Sequence, residues 1–336
     1  MRRFCLSAVG GLPWLTGFLA TAPVRAADIF WVQGTGADSR VVRSDLNGAN
    51  VSSIVTPAAV SDPTAIAVDV VAGKIYWTDG ASNQSRIRRS ELDGTSPTTV
   101  LAWPLKSDTK DVDVDPMGAK LYWAEGAGTD SRVLRAGLTG AGLESLLAWP
   151  QVIDPKAIAV DPVGGKFYWA QGVGNDSRVL RANLDGTNVQ TLIVWPQVSD
   201  PTGIAINAAG GKLYWCQSTG NNSRILSANL DGSAPTTVLS WPQVLDPKSF
   251  SLDLLNLKMY WAEGASTSTK VVRANLGGTG VEAIVTWPQA SDVFGLDVVA
   301  AAPIPTVSQW GLVVLGLALL TGATVIIRTR AALTEH

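Results

Sequence analysis

Gly73-Lys74-Ile75-Tyr76-Trp77-Thr78-Asp79-Gly80 decides the fold. Its aromatic pair returns as Phe30-Trp31, Tyr122-Trp123, Tyr168-Trp169, Tyr214-Trp215 and Tyr260-Trp261, each 46 residues from the next. A period of that length marks a repeat architecture, in which no unit can bury its apolar face without its neighbours.

Residues 154–199 show what one unit builds. Ala157-Ile158-Ala159-Val160 is a short apolar β-type run, and Asp161-Pro162-Val163-Gly164-Gly165 is turn chemistry. Lys166-Phe167-Tyr168-Trp169-Ala170 is a second strand, and Arg178-Val179-Leu180-Arg181-Ala182 is a third after a loop. Leu184-Asp185-Gly186-Thr187 is a tight turn whose Gly suits a positive φ. Val189-Gln190-Thr191-Leu192-Ile193 is the fourth strand. Four short strands per unit, six units and no helical periodicity predict an all-β fold, a six-bladed β-propeller with four-stranded blades. A β-solenoid would use a shorter period. A WD-type propeller would show Gly-His signatures, yet the only histidine is His336.

The ordered elements resemble the YWTD propeller repeats of the low-density lipoprotein receptor family. They run Asp-Pro, Ile-Ala-Val-Asp, the stretch from Gly73 to Gly80, Arg86-Ile87-Arg88, then Leu-Asp-Gly, and the resemblance covers all six repeats. One departure matters: only Asp79 keeps the motif's acid, and Gln33, Glu125, Gln171, Gln217 and Glu263 replace it elsewhere. All accept hydrogen bonds, so the fold should persist with altered detail. The first repeat starts at its second strand, whereas a surplus segment, 293–298, matches an inner strand. That segment is expected beside Ile29-Phe30-Trp31, closing the ring and removing an exposed sheet edge.

The ends read differently from the repeats. Residues 1–26 open with Arg2 and Arg3, continue with an apolar run and end with small residues at Val24 and Ala26, the pattern of a cleaved signal peptide. Residues 311–327 hold no charge and precede Arg328 and Arg330, at the short limit for a single transmembrane helix with its positive flank in the cytoplasm. The exported part, 27–302, is then six 46-residue repeats with no room for another domain. Five arginines and Glu335 lie in the ends, leaving 21 basic and 27 acidic side chains in the ring. This mild acidity argues against a nucleic-acid partner. Cys5 leaves with the signal, so Cys216 has no disulfide partner and reads as a small core residue.

The C-terminal region 303–336 contains Ile304-Pro305-Thr306-Val307 and Trp310-Gly311, then the apolar run and the arginines. It resembles the IPTL-type sorting signal of Gram-negative bacteria, with Val307 in place of leucine. The resemblance implies processing by signal peptidase and an exosortase-type enzyme, a transient inner-membrane anchor, and delivery to the envelope, outer surface or medium. An ordinary single-span anchor is the alternative.

In a propeller, the loops after strands two and four share one face. Here they are the longer and chemically richer set, so a ligand site is expected there. Trp103, Trp149, Trp195, Trp241 and Trp287 each precede a proline. They serve either blade-to-blade packing or an aromatic ring for a protein or carbohydrate ligand. Asp62, Asp108, Asp154, Asp200, Asp246 and Asp292 form a second periodic set, as turn caps or as a polar collar at the channel mouth. Lys110, Lys156 and Lys248 lie two residues after their aspartates. Arg86, Arg132, Arg178 and Arg224 read as blade-to-blade ion pairs or solvated strand ends.

Asp111 and Asp113 break the repeat where Ala65 and Ala67 stand, on one face of an innermost strand. Clustered carboxylates need a partner, a proton or a cation. Ca²⁺ is the cation such oxygens would take, with lysine pairing and channel water as the alternatives. No other cofactor is implied. With no histidine in the ring, the usual base, triad and metal ligand are missing. The sequence therefore reads as an exported, non-catalytic binding or adhesion propeller. The alternative is a lactonase-like hydrolase with a divalent metal in its channel.

Overall fold

The computed structural model describes residues 27–57, 59–80, 85–102 and 108–299. The expected signal peptide, the sorting region with its apolar run, and Trp103 lie outside these residues. Among the described residues, no helix is long and apolar enough to cross a membrane.

Twenty-four strands form six antiparallel sheets of four among the described residues. We number these blades I to VI in chain order. Blade IV shows the pattern with Pro155–Asp161, Lys166–Gln171, Arg178–Asn183 and Gln190–Val194, from the channel outwards. Burial explains why the second strand reads as a run rather than an alternation. Neighbouring blades cover both of its faces, so Phe167, Tyr168, Trp169, Ala170 and Gln171 are all buried. The outer strand meets solvent, and Gln190 and Thr191 are exposed. In the turn beside it, Gly186 takes φ 82° as expected. A β-carbon there would sit 2.8 Å from the Leu146 carbonyl oxygen of blade III.

The two chain ends close the ring as expected. Val293–Val299 is the inner strand of blade I and pairs with Asp28–Gln33, with Ile29 opposite Val298 and Trp31 opposite Leu296.

Six apolar clusters lie between successive blades, and each draws residues from both sides. One joins Tyr168 and Val179 of blade IV to Leu213 and Trp215 of blade V. Another joins Tyr260 and Val271 of blade VI to Ile29 and Trp31 of blade I. Trp31, Trp77, Trp123, Trp169, Trp215 and Trp261 are fully buried. Burying 150–250 Å² per indole stabilises the ring by roughly 4–6 kcal/mol each as an upper bound. Cys216 is part of the blade V–VI cluster, and burial pushes its thiol pKa up to about 12.

In four blades the polar residue two positions after the tryptophan explains how the ring tolerates the departures from the YWTD motif, whereas Trp215 Nε1 of blade V finds no acceptor. Gln33, Glu125, Gln171 and Glu263 accept from the indole N–H of the tryptophan two residues earlier, at 2.6–2.9 Å. Asp79 is one methylene shorter, and Trp77 Nε1 finds no acceptor. Asp79 instead binds Arg86 at 3.1 Å.

The arginines at the starts of the third strands require a correction. Arg86 and Arg132 pair with Asp79 and Glu125 of their own blade, not of a neighbour, because the hairpin register sets them opposite each other. Arg135, Arg181 and Arg273 make the cross-blade bonds. They donate to the turn carbonyls of Leu184, Leu230 and Leu46 in the next blade, at 2.7–2.9 Å.

Candidate functional site: the channel, its mouth and the rim

The inner strands of the six blades surround a central channel with a cavity of about 230 Å³. Their packing is close: a β-carbon on Gly295 would lie 2.7 Å from Ala65 Cα. Small residues such as Ala159, Gly203, Ala205 and Gly295 line the cavity beside larger apolar ones such as Ile158, Ile204 and Phe250. Its acidic residues are Asp111, Asp113 and Asp297.

Asp111 and Asp113 each bridge two inner strands, and Asp297 bridges three. Asp111 accepts from its neighbour Val112 N at 2.9 Å and from Ile158 N of the next blade at 2.9 Å. Asp113 does the same with Val114 N and Val160 N, both at 2.7 Å. Asp297 accepts from Val298 N, from Val68 N of blade II and from Ser251 Oγ of blade VI, all at 2.8 Å. Ser249 Oγ accepts from Leu296 N at 2.8 Å. Inner strands carry unpaired edge N–H groups because they have a sheet partner on one side only. These side chains satisfy those groups across the gaps between blades.

Burial pushes the Asp111 carboxyl up to about 7, and the charge of Asp297 adds to that shift. Burial, with Asp297 next, pushes Asp113 up to about 8. Asp297 is raised by burial as well. Among the described residues, no group of three or more histidine, cysteine or acidic side chains could hold a metal ion. Backbone amides take the oxygens of Asp111 and Asp113 that a Ca²⁺ ion would need.

Sequence reasoning missed Asp297. The signal was there: it lies four repeat lengths beyond Asp113, in the segment that closes the ring.

Above the carboxylates, the channel widens into a mouth of about 440 Å³ on the loop-rich face. Lys110, Lys156 and Lys248 line it with Thr64 and Thr202. A β-bulge aims each lysine. In blade IV, Pro155 pairs with Gln171 and Ala157 with Ala170, so Lys156 has no partner on the second strand. Lys110 and Lys248 occupy the same bulge in blades III and VI. Lys248 is paired with Asp246 at 2.7 Å. Burial opposes the Asp246 charge, but the bonds from Lys248 and Ser218 outweigh it and lower its pKa. No acidic side chain among the described residues forms an ion pair with Lys110 or Lys156.

The periodic aspartates cap turns. The loops after the second strands fold into single 3₁₀ turns such as Gly174–Asp176. Gly36 N, Gly128 N, Gly174 N and Ser266 N, each in such a turn, donate to Asp62, Asp154, Asp200 and Asp292 at 2.8–3.0 Å. In blades III and IV, the backbone N–H of Asp154 and Asp200 binds Ser131 and Ser177 Oγ at 3.0 Å. These bonds tie each blade to the segment leading into the next. Asp108 accepts from Gly126 N through its carbonyl at 2.9 Å.

The tryptophans before proline stand on the rim of the same face. Trp149, Trp195, Trp241 and Trp287 are 47–52% exposed. Their loops are pinned instead by Val152, Val198, Val244 and Ala290, which are fully buried. The packing between blades thus falls to these apolar residues three positions on, leaving the indoles about half exposed. Pro196 and Gln197 beside Trp195 are exposed too, and so are their equivalents in blades III and VI.

Residues 302–331 match the IPTL-CTERM motif. The expected sorting signal is borne out, and it implies export towards the cell surface. No curated protein matches the chain significantly. The fold is similar to a chain of the nidogen/laminin complex, at TM-score 0.70 and 20% identity over 82% of this chain and 99% of that one. It is also similar to TolB from Acinetobacter baumannii, at 0.66 and 13%, over 81% of this chain and 66% of that one. A putative TolB from Agrobacterium tumefaciens gives 0.60 and 12%, over 78% and 88%. At these identities the likeness is one of fold, and it bears out the expected resemblance to YWTD-type propellers.

Proposed function

We propose that the chain is an exported, envelope-associated, non-catalytic binding disc whose ligand face carries the tryptophan rim and the lysine mouth. The observation behind this reading is the half-exposure of four equivalent tryptophans. Large aromatic side chains left in water at regular intervals suit a partner with flat apolar faces. Lys110 and Lys156, which form no ion pair among the described residues, favour a partner that carries negative charge. An acidic glycan offers both, because sugar rings stack on indoles and carboxylates or sulfates pair with ammonium groups. Export through the sorting motif places such a face where a surface polymer would meet it. The non-catalytic reading is supported by the absence of histidine from the ring and by the structural bonds of the channel carboxylates.

A glycan and protein array with the purified protein tests this. Binding to acidic glycans should fall about tenfold or more for Trp149→Ala and Trp195→Ala, as for an interface anchor. Lys110→Ala with Lys156→Ala should weaken binding and flatten its salt dependence. Unchanged binding in all these variants contradicts the assignment. Retention of a protein partner alone moves the ligand to another class.

A further inference from the structure

The opposite face presents a different surface. In blades II to VI, innermost turns join the inner strand to the second strand around the far end of the channel. They carry Val71, Met117, Val163 and Leu257, which are 62–82% exposed. The turns do not need these residues for their own geometry. Buried Asp69, Asp115, Asp161 and Asp253 already accept the turn amides, for example Gly118 N and Gly164 N at 2.8 Å. Turn tips ordinarily hold polar residues or glycine. The outer turns of this same face do so, with Asp93, Asp185 and Asp231 exposed at their tips. Among the described residues, the turns nearest the channel in blades II, III, IV and VI form an apolar arc, and blade V adds Ala208 and Ala209.

The path of the chain suggests what covers it. Asp28 and Val299 are paired at this face, so the chain leaves the propeller here. Eleven residues separate Val299 from the uncharged run 311–327. Fully extended, they reach at most about 40 Å. Five lysines, Lys74, Lys120, Lys166, Lys212 and Lys258, begin the second strands on the same face and are half-buried. Four of these ammonium groups bind the third strand of their own blade: Lys74 to Glu91, Lys166 to Asn183, and Lys212 and Lys258 to Asn229 and Asn275 at 2.7 and 2.6 Å. They are therefore held at the edge of this face, and the apolar turns carry the contact. The acidic outer turns limit any contact to a shallow one.

We propose that this apolar arc docks into the interfacial layer of a phospholipid bilayer, so that the tryptophan and lysine face points away from the membrane. The proposal rests on the reading of the chain as exported and tethered, and gives the disc its orientation.

The test uses the chain 27–336, without Cys5, in vesicles of phosphatidylethanolamine and phosphatidylglycerol. Val163→Cys and, on the other face, Gln197→Cys each carry a polarity-sensitive fluorophore. Cys216 is fully buried and does not compete for label. The expected result is a blue shift and protection from an aqueous quencher at position 163 alone. Equal quenching at both positions overturns the proposal. A second measurement separates it from the tether reading. The chain 27–302 contains both strands that close the ring, and it should float with the same vesicles. Met117→Ser with Val163→Ser should abolish that flotation while leaving the melting temperature unchanged. Failure of 27–302 to float overturns the docking. Flotation of 27–302 without insertion of the chain 27–336 removes the tether and keeps the docking.

Discussion

The spaces between blades and the space inside the ring follow opposite rules. Between blades, the same aromatic pair is buried six times, and the six clusters are near copies of one another. In the channel and at its mouth the copies diverge. Equivalent positions hold Thr64, Lys110, Lys156, Thr202, Lys248 and Phe294 at the mouth, and Ala67, Asp113, Ala159, Ala205, Ser251 and Asp297 within. Packing constrains the first region, because every change must fit two sheets at once. The second region faces a cavity, so its residues can differ from blade to blade. The repeat builds the disc, and the places where it lapses give the disc its chemistry.

The sharpest way to break this contrast is to compare two tryptophans of the same blade. Trp169→Ala removes a fully buried ring and should cost about 3–5 kcal/mol of stability. Trp195→Ala, half exposed, should change the unfolding free energy by about 0.5 kcal/mol or less while reducing ligand binding. Similar losses of stability in both would erase the distinction between core and rim.

The next effect concerns the channel carboxylates. Asp113→Ala leaves Val114 N and Val160 N without an acceptor, at about 1–3 kcal/mol for each buried group. Burial also makes this site sensitive to pH. The folded-state values, about 7 for Asp111 and about 8 for Asp113, lie well above the ordinary aspartate value of about 3.9. The folded state therefore holds these protons more tightly than the unfolded chain. The stability they contribute is complete below about pH 4 and is lost as pH rises through 7 and 8. The melting temperature should fall from pH 5 to 8.5, and Asp113→Asn should flatten that slope. A melting temperature that rises over the same interval would reverse the assignment.

The smallest effect lies at the one place where a blade keeps the motif's acid. Glu125 reaches both the Trp123 indole and Arg132, whereas Asp79 binds Arg86 and leaves the Trp77 indole unpaired. Asp79→Glu should therefore stabilise the ring by about 0.5–1.5 kcal/mol, read as a higher denaturant midpoint. A lower midpoint would show that the longer acid does not fit blade II.

How much of this was legible in the sequence follows the same division. The 46-residue period was sufficient for blade number, strand order and ring closure, because identical spacing leaves one way to cover every apolar face. The fate of individual side chains was less visible. Asp111 and Asp113 stood out against their neighbours, but their backbone partners on blade IV are set by the gap between inner strands, which no local pattern encodes. Asp297 escaped notice because its blade is assembled from both ends of the chain. The exposure of the Trp-Pro indoles depended on Val152, Val198 and Val244 filling the space beneath them. These are ordinary apolar residues whose role appears only once the loop is in place. The lysines were visible by position, but the bulge that turns them to the mouth was not.

Closure of the disc by its last inner strand can be tested by truncation. A chain ending at residue 302 should unfold in one cooperative transition, with the blue-shifted emission of buried tryptophan. A chain ending at residue 292 lacks the partner of Asp28–Gln33 and exposes the core shared by blades I and VI. It should lose the transition and emit at longer wavelength. If the two chains melt at the same temperature with the same emission, the ring is not closed as described.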